Sequence, residues 1–399
     1  MDRLVNTVRP YAWGSVTAIP ELLGQEPTGR PQAELWMGAH PGAPSRTDRG
    51  SGPVPLDELI AADPQAELGA ATTARFGTGL PFLFKVLAAG IPLSIQAHPT
   101  LDQARAGFAD EQDRGIPLDA PDRNYRDANH KPELICALDE FDGLCGFRRP
   151  AGTAALLAAL HVPGLTPLID VLQQKPESEA LREALVGVLS LDRATAADLV
   201  RQTAAAVDAA ATTDPDGPYT PYTLITREFP GDIGLLAGLL LNHVRLAPGE
   251  ALYLGAGVPH GYLHGTAVEL MATSDNVLRA GLTPKHIDVP ELLKVVEFTA
   301  ADPDVLRPVP VAATPGELLY PVPIDEFRLS RFDLDDEPRR IDGRAPQILL
   351  CTTGTARLTA DDGETLELAR GESAFLPATG NNTDLTGPGA TLFRATVTL

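Results

Sequence analysis

The sequence predicts a mainly β protein that carries a helical insert. Glycine and proline are frequent, with 36 and 37 residues, and they are spread along the chain, which is typical of many short strands joined by turns. Residues 151–213 differ, because they are rich in alanine and leucine and repeat at helical spacing, as in the run AALLAALHV. A third observation is an internal repeat, which indicates that two β-regions share one plan.

The repeat relates residues 246–256 to residues 368–378. Both segments begin with the pattern L-A-x-G-E and keep later leucine and alanine positions. Continued without a gap, the alignment places Asn382 opposite His260. A G-E turn between strands, with ligands on inward faces, is typical of cupin-type jelly-roll β-barrels. We therefore expect two such barrels, the first with a metal-binding histidine and the second without it, plus an α-helical domain.

These segments define the expected domains. Residues 1–150 and 231–305 form a discontinuous catalytic cupin domain, and residues 151–230 form an α-helical insert domain. Residues 306–399 form a C-terminal cupin-like β-domain without metal.

Local patterns predict the elements of this plan in chain order. Residues 81–99 contain two apolar strands around a turn at Ala89-Gly90. Pro132 fits the start of a strand, because proline breaks a helix. A strand–turn–strand pattern surrounds residues 248–250, and the chain is β-rich from about residue 305. Recurring apolar positions predict helices over 56–75, 101–108, 231–242 and around 291–294.

Charge and cysteine usage restrict the class of partner. The net charge of −21 argues against nucleic acid or an anionic membrane as a partner, but a local basic pocket can still hold a small anion. No run approaches the ~18 apolar residues of a membrane span. Cys136, Cys145 and Cys351 form no CxxC pair and are expected to be reduced. We expect a soluble, cytoplasmic protein, either a monomer or a homodimer.

Short stretches place metal-ligand residue types on predicted strands. Ser94, Gln96 and His98 alternate along one strand, so their side chains project from one face. Glu133 opens the next apolar strand, and His260 follows a glycine-rich bend. Gln96, His98, Glu133 and His260 together offer two imidazoles, one carboxylate and one amide oxygen. Such a mixed set suits Zn²⁺, with other divalent ions possible.

A metal held this way, with open positions, is a Lewis acid toward a carbonyl or hydroxyl oxygen. A base and an acid that move a proton between neighbouring carbons then interconvert an aldose and a ketose. A sugar phosphate also needs groups that bind its phosphate. Candidates for that role are Lys85, Ser94, Arg279 and Lys285.

At this point the motifs match a known family. PLSIQAHP, NHKPEL, VPHGYLHG and SDNVLRAGLTPK closely resemble the motifs of class I (type I) mannose-6-phosphate isomerases of the cupin superfamily. YAWGS and ELWMG near the start match as well, so that the resemblance covers nearly the whole chain. It implies an enzyme with one Zn²⁺ per chain that interconverts mannose 6-phosphate and fructose 6-phosphate through a cis-enediol.

The resemblance also assigns roles to residues. The zinc ligands are the four residues already identified by their spacing. Proton transfer and charge stabilisation map onto Lys131, Asp275 and Arg279. Lys285 and Ser94 map near the sugar or its phosphate.

Glu269 is a further acid–base candidate. Departures from the family pattern are small: Gly261 stands where many relatives have alanine, and Gly265-Thr266 stands where some have Gly-Asp. His264 is local variation and is expected at the surface. A lysine base needs a lowered pKa and a carboxylate base a raised one, so the sequence leaves the identity of the base open.

Two other classes of function share part of this pattern. A sugar-phosphate-binding cupin without catalysis would keep the ligands but lose the base, and the presence of Lys131, Asp275, Glu269 and Arg279 argues against it. A cupin dioxygenase or epimerase would be distinguished by its metal and by oxygen consumption. No phosphate-binding loop of the GxxxxGK type occurs, which favours a single activity over a fused nucleotidyltransferase.

Overall fold

The computed structural model describes residues 1–399. Strands dominate the N-terminal third, the segment from 241 to 281 and the C-terminal part. The strands are β1 Asp2–Leu4, β2 Thr7–Arg9, β3 Glu34–Met37, β4 Arg46–Asp48, β5 Pro53–Pro55, β6 Phe82–Ala89, β7 Ile95–Ala97, β8 Glu133–Ala137, β9 Phe141–Phe147, β10 Leu241–Leu246, β11 Ala251–Leu254, β12 His260–Ala272, β13 Leu278–Gly281, β14 Val309–Pro310, β15 Glu317–Tyr320, β16 Arg328–Asp333, β17 Arg339–Ile341, β18 Gln347–Thr353, β19 Thr355–Ala360, β20 Thr365–Ala369, β21 Ser373–Leu376, β22 Thr383–Thr386 and β23 Thr391–Thr396.

Helices are concentrated between residues 150 and 239. The helices are α1 Ala18–Leu22, α2 Leu56–Ala62, α3 Pro64–Leu68, α4 Ala70–Phe76, α5 Leu101–Asp113, α6 Pro150–Ala159, α7 Thr166–Gln174, α8 Glu177–Leu189, α9 Arg193–Thr213, α10 Thr223–Glu228, α11 Gly234–Leu239 and α12 Val289–Val295. Short 3₁₀ turns occur at Pro163–Leu165 and Thr220–Tyr222. None of these helices has both the length and the apolar character needed to span a bilayer.

The long strand β12 joins two groups of antiparallel strands. Its first half pairs with β7 and β9, and its second half pairs with β6 and β8. The change occurs at Gly265, whose φ of +117° and close approach to the backbone of Glu140 leave no room for a side chain. We call β2–β13 the first β-region. His260 and Glu269 lie on the two halves of this one strand, which brings both into the same interior.

The second β-region, β14–β23, repeats the pairing order of the first. The order β11-β8-β12-β6-β3-β2 corresponds to β21-β18-β23-β16-β15-β14. The order β10-β9-β12-β7 corresponds to β20-β19-β22-β17. The role of the single strand β12 is therefore divided between β22 and β23 in the second region.

The repeated L-A-x-G-E turns have the same geometry in both regions. The Glu250 carboxylate accepts the Ala247 N–H at 3.0 Å, and the Glu372 carboxylate accepts the Ala369 N–H at 2.8 Å. The glycine of each turn has φ near +85°, a backbone conformation that glycine adopts without strain. The short sequence repeat thus marks a structural repeat that extends over whole sheets.

Apolar side chains join these parts. One core cluster combines Phe84 and Val268 of the first β-region with Phe327 and Phe375 of the second. Another cluster packs the helices of residues 150–239 against β7 and β13 through residues such as Ile95. Strand β7 therefore lies between the helical segment and the interior of the first β-region. Packing on both sides fixes its backbone, which carries the metal-ligand candidate Gln96.

The elements differ from the sequence-based expectations in three places. Residues 56–75 are helical as expected, but they are divided into three short helices, because Pro64 and Gly69 interrupt them. The helix expected over 231–242 ends at Leu239, and Leu241–Leu246 pairs with β9 instead. The helix expected over 101–108 extends to Asp113. In addition, β1 pairs with β21, so that the first residues join the second β-region.

Candidate active site

Three of the four expected metal ligands converge inside the first β-region. The ligand atoms of His98, Glu133 and His260 all lie within 4.8 Å of one another. Glu133 is 3.4 Å from the Nε2 atom of His98 and 3.3 Å from that of His260, and all three residues are buried. This arrangement of two imidazoles and one carboxylate fits a divalent cation.

The hydrogen bonds of the two histidines direct their Nε2 atoms toward a common point. His98 Nδ1 donates to the Asn276 carbonyl at 2.8 Å, and His260 Nδ1 donates to the Val258 carbonyl at 2.9 Å. Nε2 is then unprotonated in the neutral rings, which is the form that binds metals. His98 Nε2 and Glu133 Oε2 are buried without any hydrogen-bond partner. A cation would satisfy both atoms, so these residues fit a bound metal.

Gln96 lies beside this triad. Its side-chain Nε2 atom is 3.4 Å from His260 Nε2, and Gln96 is the cross-strand neighbour of His260. A role as metal ligand would use its amide oxygen, which rotation of the amide brings to the same place. Ser94 is half-buried two residues before Gln96, at the entrance of β7.

The electrostatics of the triad favour ligation. Burial lowers the pKa of His98 to about 4, which keeps the ring neutral at physiological pH. Burial opposes ionisation of Glu133, but Lys131 and the adjacent histidines outweigh it and hold the pKa of that carboxyl well below its usual range. Lys131 reaches Glu133 with its Nζ atom at 3.0 Å. The catalytic candidate Lys131 therefore lies directly beside the metal-ligand candidates.

A second group of buried charges lies behind the triad. Lys85 Nζ is 2.8 Å from Glu269 and 3.5 Å from Glu34, and Tyr262 donates its hydroxyl to the other oxygen of Glu269 at 3.1 Å. The carboxylates outweigh burial and raise the pKa of Lys85, which therefore stays charged. Lys85 is thus enclosed by carboxylates, while its expected contact with a phosphate remains a prediction.

Glu269 is also enclosed. Burial raises its pKa against the opposing charge of Lys85, and both of its oxygens accept hydrogen bonds. Together with Lys131, the interior holds two ammonium groups and three carboxylates, because Glu34 and Glu133 accompany Glu269. A divalent cation would offset this excess of buried negative charge.

Asp275 is exposed at the rim and is held by a residue that sequence reasoning missed. His40 Nε2 is 3.4 Å from the Asp275 carboxylate, and His40 Nδ1 accepts the Gly42 N–H at 3.1 Å. Because Nδ1 accepts this hydrogen bond, the ring proton of neutral His40 lies on Nε2, which donates to Asp275. The hydrogen bond from His40 lowers the pKa of Asp275, so this carboxylate is ionised at neutral pH. His40 lies far from Asp275 in the sequence, and no local pattern marks it.

Arg279 and Lys285 lie at the rim without any carboxylate partner. Arg279 is the cross-strand neighbour of Gln96, which places it beside the metal-ligand candidates. Burial, and then the charge of Arg126, lower the pKa of the Arg279 guanidinium. Burial, Arg279 and Arg126 lower the pKa of Lys285. The structure therefore brings together three cations, of which the sequence indicated two.

Asn276 connects these parts. Its side-chain oxygen accepts the Arg126 N–H at 2.7 Å, its amide donates to the Asn129 carbonyl at 2.8 Å, and its own carbonyl accepts from His98. Asn276 belongs to the SDNVLRAGLTPK motif, but an asparagine at this position does not by itself predict these three hydrogen bonds. The next residue of the NHKPEL segment, His130, reaches the second β-region through Glu326 at 2.8 Å.

The second β-region has other residue types at two positions that correspond to buried carboxylates of the first β-region. Glu133 is paired with Leu254 and Gln347 with Leu376, so the repeat superposes Gln347 on Glu133. By the same register, Arg394 superposes on Glu269. Arg394 donates to the Gln347 and Glu317 side chains, at 2.5 and 3.2 Å. A neutral amide and a fixed cation occupy the positions of carboxylates, which disfavours a second metal there.

Gly281 lies between Arg279 and Lys285, in close contact with α11, and supplies a test. Its φ is +143°, and a Cβ atom there would lie 2.4 Å from the Gly234 Cα atom in α11. We expect Gly281→Ala to lower the free energy of unfolding by about 1–3 kcal/mol, because the backbone is strained and β13 is displaced from α11. Denaturant unfolding measures this loss, and KM for the substrate should rise at the same time.

Gly77→Ala is the matched control. Gly77 also has a positive φ, +88°, but no atom lies within 4 Å of its added Cβ. This variant should lose stability through backbone strain alone and keep KM unchanged. Equal kinetic effects of the two substitutions would contradict a role of Gly281 in placing the rim cations.

Comparison with known proteins identifies the family. Residues 1–150 match the family model "phosphomannose isomerase type I, catalytic domain", and residues 317–396 match "mannose-6-phosphate isomerase, cupin domain". The chain is 44% identical to mannose-6-phosphate isomerase of Escherichia coli over 98% of both chains. It is 39% identical to the human mannose-6-phosphate isomerase over 73% of this chain and 72% of the human one.

Solved structures agree with this match. A crystal structure of mannose 6-phosphate isomerase from Salmonella typhimurium with bound fructose 6-phosphate and zinc has a TM-score of 0.91 and 41% identity, and the match covers 100% of both chains. A zinc-bound mannose 6-phosphate isomerase has a TM-score of 0.91 and 41% identity, with 100% of this chain and 99% of the other covered. The chain therefore belongs to the type I phosphomannose isomerase family.

Proposed function

We propose that the chain is a zinc-dependent aldose–ketose isomerase that interconverts mannose 6-phosphate and fructose 6-phosphate by proton transfer through a cis-enediol. One observation carries this proposal: the buried triad of His98, Glu133 and His260, with two unsatisfied ligand atoms, lies beside unpaired rim cations. The zinc and fructose 6-phosphate bound by a relative of the same family support the same conclusion.

The metal-ligand candidates are Gln96, His98, Glu133 and His260, with one zinc per chain. A zinc ion in this place would act as a Lewis acid that polarises a sugar oxygen. The Arg394 guanidinium in the second β-region supports a count of one rather than two.

The groups proposed to act on the proton and on developing charge surround the triad. Lys131 reaches the Glu133 carboxylate, and Asp275 is ionised and exposed at the rim. The half-buried Arg279 has no anionic partner and is suited to stabilise the enediolate oxygen. Glu269 stays the further acid–base candidate, with both of its oxygens ordered by Lys85 and Tyr262.

The phosphate end of the substrate is assigned to the rim. Lys285 is exposed and unpaired, and Ser94 is half-buried just before strand β7. Lys85 is a further candidate for contact with the phosphate, and its ammonium also contacts Glu269 and Glu34.

We propose the domain plan from the same features. Residues 1–150 and 231–305 would form the catalytic cupin-type jelly-roll barrel, residues 151–230 the helical insert, and residues 306–399 a second barrel of the same type without metal. The repeated pairing order and the repeated Glu250 and Glu372 turns support this plan. The three free cysteines support a place in the reducing cytoplasm.

Isomerisation in deuterated water tests the proposal. The purified chain is expected to convert mannose 6-phosphate to fructose 6-phosphate, and deuterium should appear at the carbon next to the carbonyl because the base exchanges its proton with solvent. Mass spectrometry of both sugars at partial conversion measures this incorporation. Turnover without deuterium incorporation would indicate that the transferred proton is shielded from solvent and does not exchange freely. Absence of turnover from folded, zinc-loaded protein would exclude this reaction.

A further inference from the structure

We propose that Arg126 binds the phosphate group of the sugar phosphate, as a third cation beside Arg279 and Lys285, and determines the preference for phosphorylated over neutral sugars. This inference rests on the proposed isomerase function, which it extends to a residue that no motif indicated.

The backbone around Arg126 is held firmly next to the rim. The Glu111 carboxylate accepts the N–H groups of Asn124 at 3.0 Å and Tyr125 at 2.8 Å, and the Asn276 side chain accepts the N–H of Arg126 at 2.7 Å. Asn276 precedes the strand that carries Arg279. The loop is thus tied to the segment of the other two cations, while the Arg126 side chain itself is exposed.

Carboxylates of this loop and of the residues that contact it are engaged elsewhere. Asp127 accepts from Ser274 at 2.8 Å and from the Asp275 N–H at 2.7 Å. Asp288 accepts from Asn124 at 2.8 Å, and Asp275 faces His40. None of these carboxylates forms an ion pair with Arg126. Its guanidinium, like Arg279 and Lys285, makes no side-chain hydrogen bond or salt bridge within the chain.

Such a cluster is unfavourable unless an anion binds to it. The chain has 53 acidic residues against 32 basic ones, so carboxylates outnumber cations. These three cations nevertheless form no ion pair with any of them. Burial first, and then the charge of Arg126, lower the pKa of Arg279; burial first, and then Arg279 and Arg126, lower the pKa of Lys285. Concentrated unpaired positive charge on a strongly acidic protein is the arrangement that attracts a small anion.

Phosphate fits this cluster better than a neutral ligand does. The planar guanidinium of arginine binds two phosphate oxygens at once, and the lysine ammonium acts as a further point charge. Arg279 lies beside Gln96, so an anion held between Arg279 and Arg126 leaves the metal-ligand side free for the reacting end of the sugar.

Arg126→Gln tests the inference in the zinc-loaded full chain. We expect KM for mannose 6-phosphate to rise about tenfold, with kcat changed less than about twofold, since the lost bond is made equally in the bound substrate and the transition state. The inhibition constant of inorganic phosphate should rise by a similar factor. Turnover of unphosphorylated mannose should not change, and Arg126→Lys should recover part of the affinity.

Arg105→Gln is the matched control, because Arg105 is an exposed arginine on the neighbouring helix α5 with no salt bridge. It removes the same charge and should leave every constant unchanged. An unchanged KM in Arg126→Gln, an equal rise in Arg105→Gln, or an equal rise for mannose and its phosphate would each overturn the inference. Inactive wild-type protein would refute the isomerase proposal instead, while phosphate binding by calorimetry would still report on Arg126.

Discussion

His260→Ala is expected to remove the bound zinc and to lower mannose 6-phosphate turnover by at least about 10³-fold. His260 opens β12, and its backbone-bonded ring directs Nε2 toward Glu133 at 3.3 Å. Without this ligand, the cation loses an imidazole. The Lewis-acid contribution of several kcal/mol that a metal gives to such a reaction would then be lost, which corresponds to this factor.

The measurement is zinc per chain by elemental analysis, together with turnover on the same sample. His264→Ala is the matched control, because His264 lies on the same strand but is exposed. It should keep both the zinc and the activity. A His260→Ala protein that retains one zinc and more than about a tenth of the activity would contradict the assignment of this histidine as a ligand.

Lys85→Met is expected to lower the free energy of unfolding by about 3–5 kcal/mol, more than Gly281→Ala does. The substitution leaves Glu34 and Glu269 buried without their shared counter-charge, next to Glu133. Urea unfolding at pH 7 measures the loss. Burial already raises the pKa of Glu269, and the variant should raise it further.

The raised pKa of Glu269 determines how the stability loss of Lys85→Met depends on pH. A carboxyl whose pKa is higher in the folded than in the unfolded chain binds more protons when folded, so the folded state gains stability as pH falls. The deficit of Lys85→Met should therefore shrink between neutral and mildly acidic pH.

The double variant Lys85→Met/Glu269→Gln separates charge balance from packing. It should be more stable than Lys85→Met alone, because it removes one of the two unpaired carboxylates, with a coupling of about 1–3 kcal/mol. If Lys85→Met instead keeps full stability and raises KM for the sugar phosphate, Lys85 contacts the phosphate as the sequence suggested, and the buried ion network is unimportant.

The metal-ligand candidates could be predicted from the sequence because their signal is local. Gln96 and His98 alternate on a short strand, Glu133 follows a proline at a strand start, and His260 follows a glycine-rich bend. Each feature is set by a few neighbouring residues. The structure adds what no local pattern contains, namely that the three strands meet so that ligand atoms lie within 4.8 Å.

His40 and Arg126 could not be found in the same way. Each contacts a partner more than a hundred residues away, Asp275 for the His40 side chain and Asn276 for the Arg126 backbone N–H. Neither residue stands in a pattern that separates it from the other exposed or buried polar residues of the chain. An unpaired arginine is recognised only when the positions of all nearby carboxylates are known.

Tertiary pairing also explains the differences in the fold. The run from Gly234 to Leu241 is equally suited to a buried helix or to a buried strand, and pairing of Leu241–Leu246 with β9 decides where the helix ends. The pairing of β1 with β21 joins residues that lie at opposite ends of the chain. In contrast, the L-A-x-G-E repeat was informative, because both glutamates make the same turn contact.

The most direct test of the account is to measure zinc content and isomerisation of mannose 6-phosphate on one sample, as isolated, after chelation and after zinc is restored. The account predicts one zinc per chain, loss of turnover on chelation and its recovery in proportion to the zinc regained. Undiminished turnover by protein shown to be free of metal would contradict the central claim that the His98–Glu133–His260 site acts through a bound cation.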